Sequence, residues 1–451
     1  MSAVESEIAA PTRRATSLLA NEDLQRTLIL SRGHPLSAGR VIAQAQALAT
    51  RLPPGRFAVN LCEDRHDFLV AFCAVMLAGQ TNLLPASRAR QAIADVMQAY
   101  PGSYCIGRCG AHAQTALDVV LPPLTQLASE DASVMPQIAP DQVVAVGFTS
   151  GSTGVPKPNP KTWASLCASS ALNAQVLGAH SGTVHLVATV PPQHMYGLEL
   201  SVLLPLRSGA AIHGDQPFFP ADIALALAAA PAPRALVTTP VHLRALMRAQ
   251  TNLPPLQAIV SATAPLDAAL AAEAEARFGA PVIEVFGSTE TCVIAHRRTT
   301  QDDCWQLYRG IELQPQPDGT VVHAAHFAAP TLLQDIVELR GPERFVLRGR
   351  NGDLLEIAGK RASLADLNRR LLAIPGVHDG VVFALDSPNH QVNRLAALAV
   401  APQLSEAQIL ARLREAIDPV FLPRPMRLVA ALPRNATGKL PREALLLALR
   451  E

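Results

Sequence analysis

Val143-Val144-Ala145-Val146-Gly147-Phe148 runs directly into Thr149-Ser150-Gly151-Ser152-Thr153-Gly154-Val155-Pro156-Lys157. The first six residues are a compact β-prone run, and the next nine form a loop rich in Gly, Ser and Thr that ends on a lysine. Gly151 and Gly154 let the backbone turn sharply and aim its N–H groups at an anion. The hydroxyls of Thr149, Ser150, Ser152 and Thr153 add donors, and Lys157 adds charge. Such a loop suits the β- and γ-phosphates of a nucleotide. It lacks the G-x-x-x-x-G-K-[ST] spacing of a Walker loop, and a proline precedes the lysine. A polar turn between strand and helix is the reading that any five of these residues would favour; the complete nonapeptide favours a phosphate site.

Outward from this stretch the pattern is α/β. Ser37–Arg51 reads as a helix capped by its serine, Arg56–Leu61 as a strand, Asp67–Leu77 as a helix closed by Gly79, and Thr81–Leu84 as a strand. Further strands are expected at Val184–Val190, Ala210–His213, Ala235–Thr238, Ala258–Val260 and Val282–Phe286, with helices at Ala221–Ala230 and Leu266–Phe278 between them. Alternation of this kind predicts mostly parallel sheets. After residue 300, short strands separated by Gly, Pro and Asp turns predict a small antiparallel unit. Beyond Arg350-Asn351-Gly352-Asp353 comes an α+β module, with a helix near Leu364–Leu372, strands at Gly380–Leu385 and Leu395–Val400, and a helix at Glu406–Ile417. The expected division is a large domain over 1–348, a hinge over 349–353 and a small mobile domain over 354–451.

The bulk composition narrows the function class. A chain of 451 residues with 49% hydrophobic and 17% charged residues has ample material for several buried cores. A formal charge of +1 gives no whole-chain case for nucleic acid. Seven scattered cysteines argue against a disulfide framework; Cys105 and Cys109 lack a second pair at zinc-finger spacing. With no apolar run of signal-peptide or transmembrane length, the expectation is a cytoplasmic protein without a membrane span. Only Lys157, Lys161, Lys360 and Lys439 are lysines, in a chain otherwise using arginine. Where lysine survives that bias, a compact ammonium is suggested.

The nonapeptide resembles the phosphate loop of the adenylate-forming superfamily of acyl- and aryl-CoA synthetases, nonribosomal-peptide adenylation domains and luciferases. The resemblance continues through ordered motifs over roughly residues 140–445. Pro192-Gln193-His194-Met195-Tyr196-Gly197 looks like the segment whose histidine borders the acyl pocket, and Ser261-Ala262-Thr263-Ala264-Pro265-Leu266 like the adenine-side loop. Val285-Phe286-Gly287-Ser288-Thr289-Glu290 is similar to the aromatic-Gly-x-Thr-Glu motif. There the resemblance puts Phe286 on adenine, Thr289 on the α-phosphate and Glu290 on Mg²⁺. Asp335 matches the ribose-binding aspartate, although Leu333-Gln334 replaces the usual Thr-Gly before it. Arg350 matches a second ribose contact and Gly352 the hinge. Ile357-Ala358-Gly359-Lys360-Arg361 resembles a loop used in the second half-reaction. Pro433-Arg434-Asn435-Ala436-Thr437-Gly438-Lys439-Leu440-Pro441-Arg442 is close to the C-terminal signature, which makes Lys439 the catalytic lysine.

What the resemblance implies is an ATP- and Mg²⁺-dependent ligase that converts a carboxylic acid to an acyl-AMP and passes it to a pantetheine thiol. The positions matching the acyl pocket are His194, Tyr196, Ala262, Val285, Gly287, Cys292 and Val293, a small and mostly apolar set that suits a flat aryl acid. The short stretch between Glu290 and Asp335 resembles the compact hydroxybenzoate:acyl-carrier-protein ligases of aryl-polyene pigment pathways. Residues 350–451 hold more basic than acidic side chains, and Arg361, Arg369, Arg370, Arg424, Arg427 and Arg442 are candidates for docking an acidic carrier protein. CoA is the alternative acceptor. A non-catalytic adenylate-binding protein is the alternative of another class, and Lys439 and Glu290 speak against it.

Overall fold

The computed structural model describes residues 15–85, 88–108, 118–150, 156–179, 183–317, 319–350, 354–357, 360–385, 394–435 and 438–450. They divide into two compact units. One runs up to Ala262 and resumes over Leu266–Ile294; the other takes Thr263–Pro265 and the chain from Ala295 onward.

The first unit is built on two sheets. In one, Tyr104–Gly107, Phe57–Asn60, Thr81–Leu84 and Val143–Ser150 (β1) lie parallel in that order, and Pro156–Thr162 (β2) pairs antiparallel with β1 at the edge. In the other, Thr27–Ser31, Ala211–His213, His185–Ala188, Arg234–Thr238, Ala258–Ser261 and Val282–Ser288 (β3) are consecutive parallel neighbours. Cys292–Arg298 (β4) follows β3, and the chain passes from one unit to the other within it. Leu186, Leu236 and Ile259 are fully buried, as expected of parallel strands covered on both faces. Ile223 and Leu227 of helix Pro220–Ala229, Leu243 and Leu246 of Pro240–Arg248, and Leu270 of Ala268–Phe278 share a core with Leu236, Ile259 and Val282. The Ser37 cap is present: its side chain accepts the Arg40 N–H at 3.0 Å at the head of helix Ala38–Ala49.

The second unit is mainly antiparallel up to residue 363. Ile311–Gln316, Gly319–Ala324 and Thr331–Leu333 make a three-stranded sheet. Asp335–Leu339 (β5) pairs with Arg344–Arg350 (β6), and Leu354–Ile357 pairs with Lys360–Ser363. The α+β module follows. Asp379–Leu385 (β7) pairs antiparallel with Arg394–Val400, which is joined by a parallel Met426–Leu428. Helices Leu364–Leu372 and Glu406–Ala416 cover this sheet through Leu367, Leu371, Ile409 and Leu413. Among the described residues no helix is long and apolar enough to cross a membrane.

The sequence reading missed β2, because Pro156, Pro158 and Pro160 argue against a strand. Their spacing of two puts every missing N–H on one side, and β2 is an edge strand whose outer side needs no partner. The helix Trp163–Val176 (α1), capped by Thr162, was also missed; its serines and asparagine mask the apolar face. The Gly/Ser/Thr loop therefore joins two strands of a hairpin rather than a strand and a helix.

Candidate active site

At the mouth of the β1–β2 hairpin, Thr149 stands directly opposite Lys157. Gly151, Ser152, Thr153 and Gly154 lie outside the described residues, as does the hinge candidate Gly352. Two residues back along β1, Gly147 explains how other segments reach this hairpin. A Cβ there would sit 2.7 Å from the Thr289 methyl and 3.1 Å from Met195 Cε. Only a glycine lets the hairpin carrying Thr289 and the segment carrying His194 close on β1 together.

That second hairpin, β3–β4, is tight. A Cβ on Gly287 would lie 2.2 Å from the Cys292 carbonyl oxygen, so the crossing strand excludes any side chain. Ser288 and Thr291 exchange a 3.1 Å hydrogen bond across the tip, and the Ser288 hydroxyl accepts the Thr291 N–H at 3.2 Å. Cys292 adopts φ +61°, an uncommon conformation for a residue with a Cβ. Its thiol is buried, which pushes its pKa up to about 12, and lies 3.8 Å from Met195 Sδ. Phe286 is half-buried, and Ser288, Thr289 and Glu290 are partly exposed at the tip.

The candidate acyl positions cluster where parallel strands end. Pro191–His194 follows His185–Ala188, Ala262 follows Ala258–Ser261, and Thr289 follows β3, all at carboxyl ends, where open α/β sheets bind ligands. Gly197 is obligatory, since a Cβ would meet the Pro191 oxygen at 1.9 Å. Tyr196 directs its hydroxyl at the Thr238 and Val260 carbonyls, 3.1 and 3.0 Å away. Its proton is thus already directed at backbone, and a substrate hydroxyl there would act as donor to it. Ala262, Val285, Cys292 and Val293 are all buried. Thr189, Thr239 and His242 add a buried hydroxyl–imidazole cluster, with Thr189 Oγ1 at 3.0 Å and Thr239 Oγ1 at 3.1 Å from His242 Nδ1; burial lowers the His242 pKa.

Three buried charges have contacts that the sequence does not foretell. Lys161 on β2 gives its ammonium to the Glu290 carbonyl at 2.5 Å. Glu199, fully buried in the wide helical turn Glu199–Leu203, accepts from Ser169, from Asn173 at 3.2 Å and from the Val293 N–H at 3.1 Å. Burial pushes its carboxyl pKa up, while those bonds and the nearby Lys161 charge oppose the shift. Arg65 donates to the Ala188 and Val190 carbonyls at 2.9 and 3.0 Å and also to Ser201, fixing the chain just before Pro191; burial lowers its pKa to about 10. The rarity of lysine already marked Lys161, and a lone acid inside Leu198–Leu206 was the available signal for Glu199.

The second unit holds the remaining candidates. Asp335 and Arg350 are direct cross-strand partners on β5 and β6, so the two ribose candidates share one ladder position. Asp335 is buried, and its carbonyl accepts the Thr320 hydroxyl at 2.7 Å. Lys439 is exposed on a turn closed by Asn435, whose side chain accepts the Lys439 N–H at 2.9 Å and whose N–H bonds the Lys439 carbonyl at 2.8 Å. Arg434 holds this turn, bonding the Gly438 carbonyl at 2.8 Å and making a two-pronged ion pair with Asp379 at 2.9 and 3.1 Å. Thr263, with φ +79°, and Ala264 group with this unit.

A sequence model of the family described as AMP-binding enzyme matches residues 40–320. A 4-coumarate–CoA ligase of Rhodobacter capsulatus is 33% identical over 302 residues, which is 65% of this chain and 74% of that protein. A 3-hydroxybenzoate–CoA/4-hydroxybenzoate–CoA ligase of Thauera aromatica is 25% identical over 67% of this chain and 66% of its own length. Among solved structures, an o-succinylbenzoate CoA synthetase from Bacillus subtilis in complex with ATP and magnesium ion superposes with a TM-score of 0.79 at 18% identity, covering 94% of this chain and 97% of that one.

Proposed function

The chain belongs to the AMP-binding enzyme family and is an adenylate-forming acid–thiol ligase; on that premise we propose that its acid is aromatic, of the hydroxybenzoate or cinnamate kind, and that its acceptor is the phosphopantetheine thiol of an acyl carrier protein. The observation that carries the aryl reading is the set of small, uncharged positions at the strand ends: Ala262, Val285, Cys292 and Val293, all buried, and the side-chain-free Gly287, with the Tyr196 phenol nearby. None of these positions is itself acidic, and the one carboxylate described against them, Glu199, is already engaged by Ser169, Asn173 and the Val293 N–H. The hydroxybenzoate and coumarate relatives lean the same way.

In this reading the carboxylate attacks the α-phosphorus of ATP and pyrophosphate leaves. Thr149, Lys157 and the loop between them hold the β- and γ-phosphates, with Ser288 and Gly287 on the nucleotide side. Thr289 meets the α-phosphate, Phe286, Thr263 and Ala264 border adenine, and Asp335 and Arg350 take the ribose. Lys439 neutralises charge building on the phosphoryl oxygens. His194 and Tyr196 orient the acid. Glu290 offers one carboxylate at a partly exposed tip, and among the described residues no group of three ligating side chains includes it. That donor set fits Mg²⁺, a hard cation that keeps phosphate and water ligands. When bound, the ion supplies positive charge to the phosphate oxygens. In the second step the thiol attacks the acyl carbonyl and AMP leaves, after the domain over 354–451 swings about the hinge at 349–353.

The carrier-protein reading draws on the basic excess of residues 350–451 and on exposed Arg369, Arg424, Arg427 and Arg442. Arg370 spends one amino group on the Ala416 carbonyl and is the weaker candidate. Free CoA is the second reading, favoured by the names of the relatives. Loading assays with holo carrier protein and with CoA, run on the same aryl acid, separate the two. Transfer to carrier with little to CoA is expected; efficient transfer to CoA and none to any holo carrier overturns the carrier reading.

A further inference from the structure

Two buried charges grip the β3–β4 hairpin on either side of its strained residue. Lys161 holds the carbonyl of Glu290, and Glu199 holds the N–H of Val293. Between the two anchors lie Thr291 and Cys292, the latter at φ +61°. A side-chain-bearing residue in that region persists when its surroundings over-determine it. Glu199 is itself held: Ser169 and Asn173, both on α1, donate to Oε1, while the Val293 N–H lies 3.1 Å from Oε2 and 3.3 Å from Oε1. α1 begins at Trp163, directly after β2, so Lys161 and the two side chains that hold Glu199 come from one continuous stretch of chain.

Burying an ammonium and a carboxylate costs several kcal/mol each unless other groups offset it, and apolar residues of similar volume would fill these positions at lower cost. What leucine or methionine cannot do is hold a carbonyl and an amide in fixed places. We propose that Lys161 and Glu199 are positioning residues that set the tip of the β3–β4 hairpin. Lys161 fixes its nucleotide-side pair, Thr289 and Glu290, and Glu199 its acid-side pair, Cys292 and Val293. The assignment of sides rests on the function proposed above; the brace itself does not. The Thr289 methyl seated over Gly147 adds a third contact from the hairpin carrying Lys161. One rigid unit thereby ties the phosphate hairpin, the Thr289–Glu290 tip and the acyl wall together.

The test measures KM for MgATP and for the acid in Lys161→Met and Glu199→Leu, together with amide hydrogen exchange over 289–293 without any substrate. Lys161→Met should raise KM for MgATP by about tenfold or more, the usual scale for removing a residue that orients another. KM for the acid should stay within about threefold. Glu199→Leu should show the opposite split. Exchange over 289–293 should rise in both. If a variant does not fold, Lys161→Arg and Glu199→Gln replace it, each keeping one group able to make the same backbone bond; exchange should then fall between wild type and full loss. Unchanged exchange, or equal rises of both KM values in each variant, overturns the proposal. A wild-type protein inert toward every acid defeats the proposed function, while the exchange result still decides the brace.

Discussion

Lys157, Lys161 and Lys439 each stand at a candidate site in a chain where arginine supplies almost every other positive charge. An ammonium is compact and presents three donors, so it fits beneath a carbonyl, as Lys161 does, where a planar guanidinium would need more room. For Lys439, removal of one transition-state donor costs ~10²–10³ in rate. Lys439→Ala should therefore lose adenylation by that factor while transfer from preformed acyl-AMP is largely retained, measured as separate half-reactions. Equal losses in both would contradict a role confined to the first step. At Gly287 the constraint is steric: Gly287→Ala drives a methyl against the Cys292 carbonyl and should lower stability by about 1–3 kcal/mol. A thermal melt that does not move would show that the hairpin relaxes freely.

The candidate site residues sit on hairpins and turns more than on helices, and that decides what the sequence revealed. Parallel strands were legible because Leu186–Ala188 and Ile259–Val260 are unbroken apolar runs. The Gly/Ser/Thr loop, the Thr289–Glu290 tip and the Lys439 signature were legible as motifs. The brace was not: Lys161 and Glu199 act through contacts with the backbone of residues about a hundred positions away, and no periodicity encodes such partners. β2 was hidden by prolines that an edge strand tolerates. The Arg434–Asp379 pair is a further contact of this type, joining the Lys439 turn to β7 across 55 residues. Asp379→Ala should release that turn and slow adenylation about tenfold or more, sparing transfer. Stopped-time acyl-AMP formation checks it; a wild-type rate would mean that Asn435 alone holds the turn.

At the scale of the molecule the proposed two-step ligation needs two working arrangements and an acceptor that finds the C-terminal module. Gly352→Pro fixes φ at the proposed hinge and should slow thioester formation more than adenylation. Wild-type rates for both would move the hinge elsewhere. If basic residues of 354–451 steer an acidic carrier protein, loading should fall steeply as salt rises and drop several-fold when two exposed arginines such as Arg424 and Arg427 become glutamate. Adenylation should be unaffected. Beneath these stands the central claim that an aryl carboxylate becomes an aryl-AMP on this chain. Acid-dependent exchange of labelled pyrophosphate into ATP, with Mg²⁺ and no thiol, measures that step alone. Exchange should be strongest with hydroxybenzoates or hydroxycinnamates and fall by ~10²–10³ in Lys439→Ala; exchange strongest with amino acids or long-chain fatty acids, or absent with every acid, would contradict an aryl-AMP intermediate.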